Sequence, residues 1–226
     1  MYKTSGTYLA ISILSLILNF SNTSTLKSQN TVIDFTGEYS LTGIPEMASG
    51  FKFNNDNTFQ FFYIYGASDR QAQGTYITEG SRIVLKGSKS AGNDFTLIQK
   101  QKNKTGNIIT VKITDKNSLL LKNVVCYFMN DKDTVIAETN SEGIAGIEMP
   151  DCNQIQLIHS FFPDLPSILD VDINEYNYFE FSLNPTLAEV VFDNNIIEQD
   201  ETDTDVLYCS NKYLFPGEKV KFVKHK

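Results

Sequence analysis

Tryptophan is absent from the 226 residues, only two histidines occur, and the three cysteines are widely scattered. Cys126, Cys152 and Cys209 share no CxxC spacing, so neither a disulfide framework nor a zinc knuckle is available to this chain. A Cys126–Cys152 bridge stays open as an alternative in an oxidising compartment, and it would leave Cys209 without a partner. His159 sits in the strand-like run Gln154–His159 and His225 in the closing Lys224-His225-Lys226, which is too little material for a histidine zinc site or a Ser-His-Asp triad. GxSxG, HExxH and P-loop motifs are missing as well. The expectation is therefore a protein that is not an enzyme, with no cofactor and no metal.

Basic residues are outnumbered. Nineteen Lys and Arg stand against 27 Asp and Glu, a formal charge of −8, and the basic residues form no stripe. Nucleic acid is excluded as a partner, because its phosphates require clustered cations. Long apolar runs are also scarce. The longest, Tyr8–Leu18, follows Lys3 and falls short of a comfortable membrane span. A positive residue, a short apolar stretch and then Ser, Thr and Asn through Asn30 read as a secretory signal and leader over 1–30, with a retained N-terminal anchor as the alternative. No stable membrane span is expected after cleavage, and the protein is expected to be exported, periplasmic or secreted. Loss of the leader removes Lys3 and Lys27 and no acid, so the remainder is more acidic still.

Aromatic residues are plentiful, with 16 Phe and 11 Tyr. They concentrate in residues 50–79. Phe51 and Phe53 alternate, Asn54-Asn55-Asp56-Asn57 supplies turn chemistry, and Phe59, Phe61, Tyr63 and Tyr65 share one face of the next strand. Further short alternating segments predict strands at 37–42, 74–79, 82–86 and 94–100, separated by Gly and Asn/Asp/Ser clusters. Alternation resumes after Lys104-Thr105-Gly106, with about seven strands between 104 and 192, the proportions of a sandwich. The acidic stretch 193–205 reads as a solvated linker, and strands return at Val206–Cys209 and Lys219–Val223. Two strands alone are marginal in water. Added to the six at the start they make eight, the number at which a small barrel closes around side chains or one ligand.

Gly37-Glu38-Tyr39 and Gly74-Thr75-Tyr76 resemble the glycine-x-aromatic signature of lipocalin-like barrels, and Phe59 through Tyr76 resembles small exported bacterial domains of that kind. Asn123–Tyr127 and the turn Thr139–Gly143 resemble carboxypeptidase regulatory-like, transthyretin-type sandwiches, which are accessory modules without chemistry of their own. The expected fold is thus all-β: an eight-stranded lipocalin-like antiparallel barrel over 31–103 and 193–226, with a seven-stranded β-sandwich inserted at 104–192. Candidate ligand-binding residues are Phe59, Phe61, Tyr63, Tyr65, Arg70 and Tyr76, with Arg70 placed in a loop at the barrel mouth, where it either faces an anionic group or pins the loop to a neighbouring strand. The expected function is a binding surface or pocket in the cell envelope. Two partner classes remain open, a small apolar ligand in the barrel or an envelope protein or glycan engaged by a module whose barrel is filled.

Overall fold

The computed structural model describes residues 33–104, 108–215, 217 and 219–226. The signal and leader expected over 1–30 lie outside the described residues. Among those described, no helix is long and apolar enough to cross a membrane.

Among the described residues, sixteen strands follow in chain order. The first five are β1 (Gly37–Thr42), β2 (Met47–Phe53), β3 (Thr58–Tyr65), β4 (Ser68–Glu79) and β5 (Arg82–Gly87). Next come β6 (Phe95–Gln101), β7 (Ile108–Thr114), β8 (Val124–Met129), β9 (Thr134–Glu138), β10 (Ile144–Glu148), β11 (Gln154–His159), β12 (Ser167–Asp170) and β13 (Tyr178–Leu183). The last three are β14 (Asp193–Gln199), β15 (Val206–Ser210) and β16 (Lys219–Lys224).

A closed antiparallel barrel runs β1-β16-β15-β14-β5-β4-β3-β2. The C-terminal strand seals it, with Tyr39 opposite Lys224 and Thr42 opposite Lys221. Closure leaves no unpaired barrel edge, which removes the aggregation hazard of an open sheet. Between β5 and β14, strands β6–β13 form two further four-stranded sheets, β10-β7-β13-β6 and β12-β11-β8-β9. Side chains from both sheets share one core, including Val111 and Phe181 of one and Cys126 and Ile155 of the other. Because β5 and β14 are hydrogen-bonded neighbours and the Gly87 N–H donates to the Phe192 carbonyl at 2.7 Å, the insert leaves and rejoins at one point on the barrel rim.

The barrel has eight strands as expected, but one of them is exchanged for another relative to the sequence reading. Residues 94–100 were expected in the barrel; β6 instead pairs with β13, so the sandwich holds eight strands rather than seven. Residues 193–205 were expected as a linker; β14 occupies the first half and is a barrel strand. Its acids misdirect the eye because alternation puts them outside. Ile197 is fully buried, while Glu198 faces outward between Arg82 of neighbouring β5 and Lys219 of β16, one strand beyond β15, at 3.2 and 2.5 Å. Asp200 then ends the strand by accepting the N–H and O–H of Thr202 and the N–H of Asp203, which hold its carboxyl down at about 2.

Strand β4 is longer than the expected 74–79 and begins after a two-residue turn at Gly66-Ala67, with Gly66 at φ +57°. Gly74 within it is obligatory. A Cβ there would lie 2.1 Å from the Lys86 carbonyl oxygen, so only glycine allows β4 and β5 to approach this closely. The three cysteines are all free and buried, Cys209 in the barrel core and Cys126 and Cys152 in the sandwich core.

Candidate functional site

Small barrels taper, and side chains on eight converging strands must reach the axis to fill it. Here rings do so. Phe51 stacks on Phe53 at 5.6 Å and meets Phe61 and Phe222 at 4.6 and 5.0 Å. Phe192, entering from the segment that returns from the sandwich, touches Phe51, Phe59 and Phe61 at 5.9, 5.5 and 5.1 Å. Phe35 enters from the segment before β1, and Leu214 and Phe215 enter from the β15–β16 connection. The barrel interior is occupied by its own side chains. Tyr39 shares it, its hydroxyl without a hydrogen-bond partner among the described residues and pushed up to about 12 by burial first and by Asp205 and Asp34 second.

Phe59, Phe61, Tyr63 and Tyr76 of the expected site belong to this packing and are buried. Tyr76 is also tied at the far end, where its hydroxyl donates to the Asn54 carbonyl at 2.9 Å. Tyr65 departs from the set: the last residue of β3 reaches past the barrel and is 48 % exposed.

Arg70 requires a correction. It lies within β4, not in a loop, and is 1 % exposed. Its guanidinium reaches from the barrel into the sandwich connection 160–166, donating to Asp164 Oδ2 at 3.0 Å and to the carbonyls of Pro163 and Glu189 at 2.8 and 2.9 Å. Lys89 joins from the β5–β6 connection, paired with Asp94 at 2.6 Å and donating to the same Glu189 carbonyl at 2.8 Å. Asp164 also accepts the N–H groups of Leu165 and Val191. Two cations and two anions are thus buried together where barrel meets insert. Burial pulls the Arg70 pKa down against the opposing pull of Asp164, and burial pushes the Asp94 carboxyl up against the opposing pull of Lys89. Charges compensated so fully are not on offer to an anionic ligand; they fix the sandwich to the rim. Sequence reading missed Lys89, Asp94 and Asp164. The one local signal was an acid framed by Phe161-Phe162-Pro163 and Leu165-Pro166, where a solvated charge has no reason to be.

Above this cluster an aromatic cleft of about 580 Å³ opens at the rim. Tyr63 and Tyr65 line it from β3, Met47 from the start of β2, Tyr213 from the β15–β16 connection, and Phe161 and Pro163 from the sandwich. Arg70 contributes to its wall. The rim position follows from strand order: the β1–β2 loop, the β3–β4 turn, the insert and the β15–β16 connection all leave the same end of an up-and-down barrel. Burial pushes the Tyr63 hydroxyl pKa up, and that hydroxyl faces the Leu214 carbonyl at 3.4 Å.

No protein-family model, curated protein or solved structure matches this chain. The cleft must therefore be read from its own chemistry. Its walls are mainly rings, a thioether, a proline and Leu214, with the hydroxyl residues Ser68 and Ser160 among them and the nearby charges already paired. Among the described residues, no cluster of His, Cys, Asp and Glu is arranged to hold a metal ion. Such a surface binds by shape and apolar contact.

Proposed function

We propose that this chain is a non-enzymatic exported protein of the cell envelope that holds a small, uncharged, apolar ligand at the rim of its barrel. The carrying observation is the cleft of about 580 Å³ formed jointly by barrel and sandwich, in the usual size range of small-molecule sites. The filled interior supports placing the ligand at the rim instead of on the axis. In this reading the lipocalin-like resemblance describes the scaffold, and the carboxypeptidase regulatory-like resemblance describes an accessory module that supplies one wall. The exported location rests on Lys3 and the apolar run Tyr8–Leu18.

Fluorescence titration of the protein with the neutral probe N-phenyl-1-naphthylamine tests the proposal. Saturable binding that weakens in Tyr65→Ser and again in the Tyr65→Ser, Phe161→Ser double variant is the expected result. An absence of saturable binding, or binding indifferent to both substitutions, overturns it. Mass spectrometry of the protein recovered from a cell envelope tests export separately, by showing whether the leader has been removed.

A further inference from the structure

The outer wall of the barrel carries a second concavity, of about 660 Å³, that shares no lining residue with the rim cleft. The pairing registers of β1–β4 set its floor. One cross-strand row reads Ser40, Gly50, Phe62, Gln71, and the next reads Glu38, Lys52, Gln60, Gln73. Alternation turns all of these away from the core. Phe62 lies over Gly50: a Cβ at residue 50 would sit 2.6 Å from its ring. Glycine at this position therefore lets the ring lie down on the sheet, and Phe62 remains 45 % exposed. Glu189 closes one side, held by the pairing of Ala188 and Val190 with Gln71. His225 closes the other, its N–H donating to the Glu38 carbonyl at 2.8 Å and its Nε2 2.6 Å from the Ser40 hydroxyl. His225, next to last in the sequence, is thus a wall of this groove.

We infer that the groove binds a neutral oligosaccharide. Such a ligand presents flat C–H faces edged by hydroxyls, and it needs an apolar platform beside groups that both donate and accept. Phe62 is the platform. Gln60, Gln71 and Gln73 each supply an amide with donors and an acceptor. Four adjacent strands span about 14 Å, room for several sugar units in a row. Charge argues for neutrality: among the described residues that line the groove, the one lysine is already paired with Glu38 at 3.0 Å and no other Lys or Arg waits for a carboxylate or phosphate. Peptide addition as an extra strand is closed off, because β1–β4 belong to a barrel without a free edge. A protein partner would call for the buried Trp, Tyr and Arg anchors that dominate such interfaces, and this floor is amide-rich with a single ring.

Saturation-transfer NMR on the full chain with maltohexaose, cellohexaose and chitohexaose tests the inference, with a hyaluronan hexasaccharide as the acidic comparison. Transfer to ring C–H protons of at least one neutral hexaose is expected. Phe62→Ala should weaken it about tenfold, the upper end for one stacked ring. Gln60→Ala with Gln73→Ala, which leaves the platform in place, should weaken it too. N-phenyl-1-naphthylamine binding at the rim should be unchanged in both variants, which separates this site from the proposed rim site and certifies the fold. No transfer from any neutral hexaose, preference for hyaluronan, or binding insensitive to both variants overturns the assignment.

Discussion

Barrel and sandwich solve the same problem, filling the space behind β-strands, with different side chains. The barrel core is dominated by rings, whereas Phe95, Phe128, Phe179 and Phe181 are the aromatic members of a sandwich core otherwise made of Ile, Val, Leu, Met, Ala and Cys. Geometry explains the difference. Two packed sheets lie about 10 Å apart and branched aliphatic residues bridge that gap, while eight strands curving round an axis leave a space that only longer side chains reach from every side. Filling it with rings has a consequence for binding. On the proposed reading, recognition is displaced to the rim and the outer wall; the sandwich supplies one wall of the rim cleft.

The sharpest way to break the comparison is at the charged cluster that joins the two regions. Arg70→Met leaves Asp164 buried without its main partner and should destabilise the protein by about 3–5 kcal/mol. Urea unfolding followed by tyrosine fluorescence and by circular dichroism should then give two transitions, barrel and sandwich separating, where the wild type gives one. Coincident transitions in the variant would show that the two regions are coupled by something other than this cluster.

Next in size are the cores themselves. Phe192→Ala removes the ring that touches Phe51, Phe59 and Phe61 and should cost about 3–5 kcal/mol, whereas Ile155→Val in the sandwich should cost about 0.5–1.5. Equal costs would contradict the claim that the barrel depends on its rings.

A smaller effect distinguishes the regions by pH. His159 is fully buried beside Phe161 and Phe162, and its Nδ1 accepts the Phe161 N–H at 3.2 Å. Burial lowers its pKa from 6.5, so the unfolded chain takes up a proton that the folded chain resists. Stability should therefore fall as pH drops below 6.5, and His159→Gln should flatten that decline. An unchanged slope in the variant would assign the acid sensitivity to other groups.

The smallest expected change is none. Burial pushes the Cys126 and Cys209 thiols up to about 12, so neither core should react with a disulfide reagent until it unfolds. Rapid labelling of Cys209 in the folded protein would show that the barrel opens where the rings are said to seal it.

Much of the scaffold was legible because alternation survives in Phe59-Phe61-Tyr63, Ile109-Val111-Ile113 and Val124-Cys126-Phe128, and because the terminal strands had nowhere to go except the first sheet. Residues 94–100 and 193–199 were exchanged because an edge strand of the sandwich and a charged strand of the barrel have similar local patterns. Only partner strands distinguish them, and Ile197 alone betrayed β14. The site was less legible. Strand period correctly put Phe59, Phe61 and Tyr63 on one face, but it cannot say whether that face lines a void. Arg70 looked like a loop residue because Gly66-Ala67-Ser68 reads as the start of a longer loop, and its partner Asp164 lies 94 positions away. The outer groove depends on Gly50 facing Phe62 across two strands, a register that no single stretch of sequence contains.

Backbone-amide NMR with added N-phenyl-1-naphthylamine tests most directly whether recognition sits at the rim of a filled barrel. Shifts concentrated at Met47, Tyr65–Ser68, Ser160–Phe162 and Tyr213, with Phe53, Leu85 and Ile197 unmoved, are the predicted result. Shifts centred on those interior strands would show that the ligand displaces the rings and enters the barrel, contradicting the account.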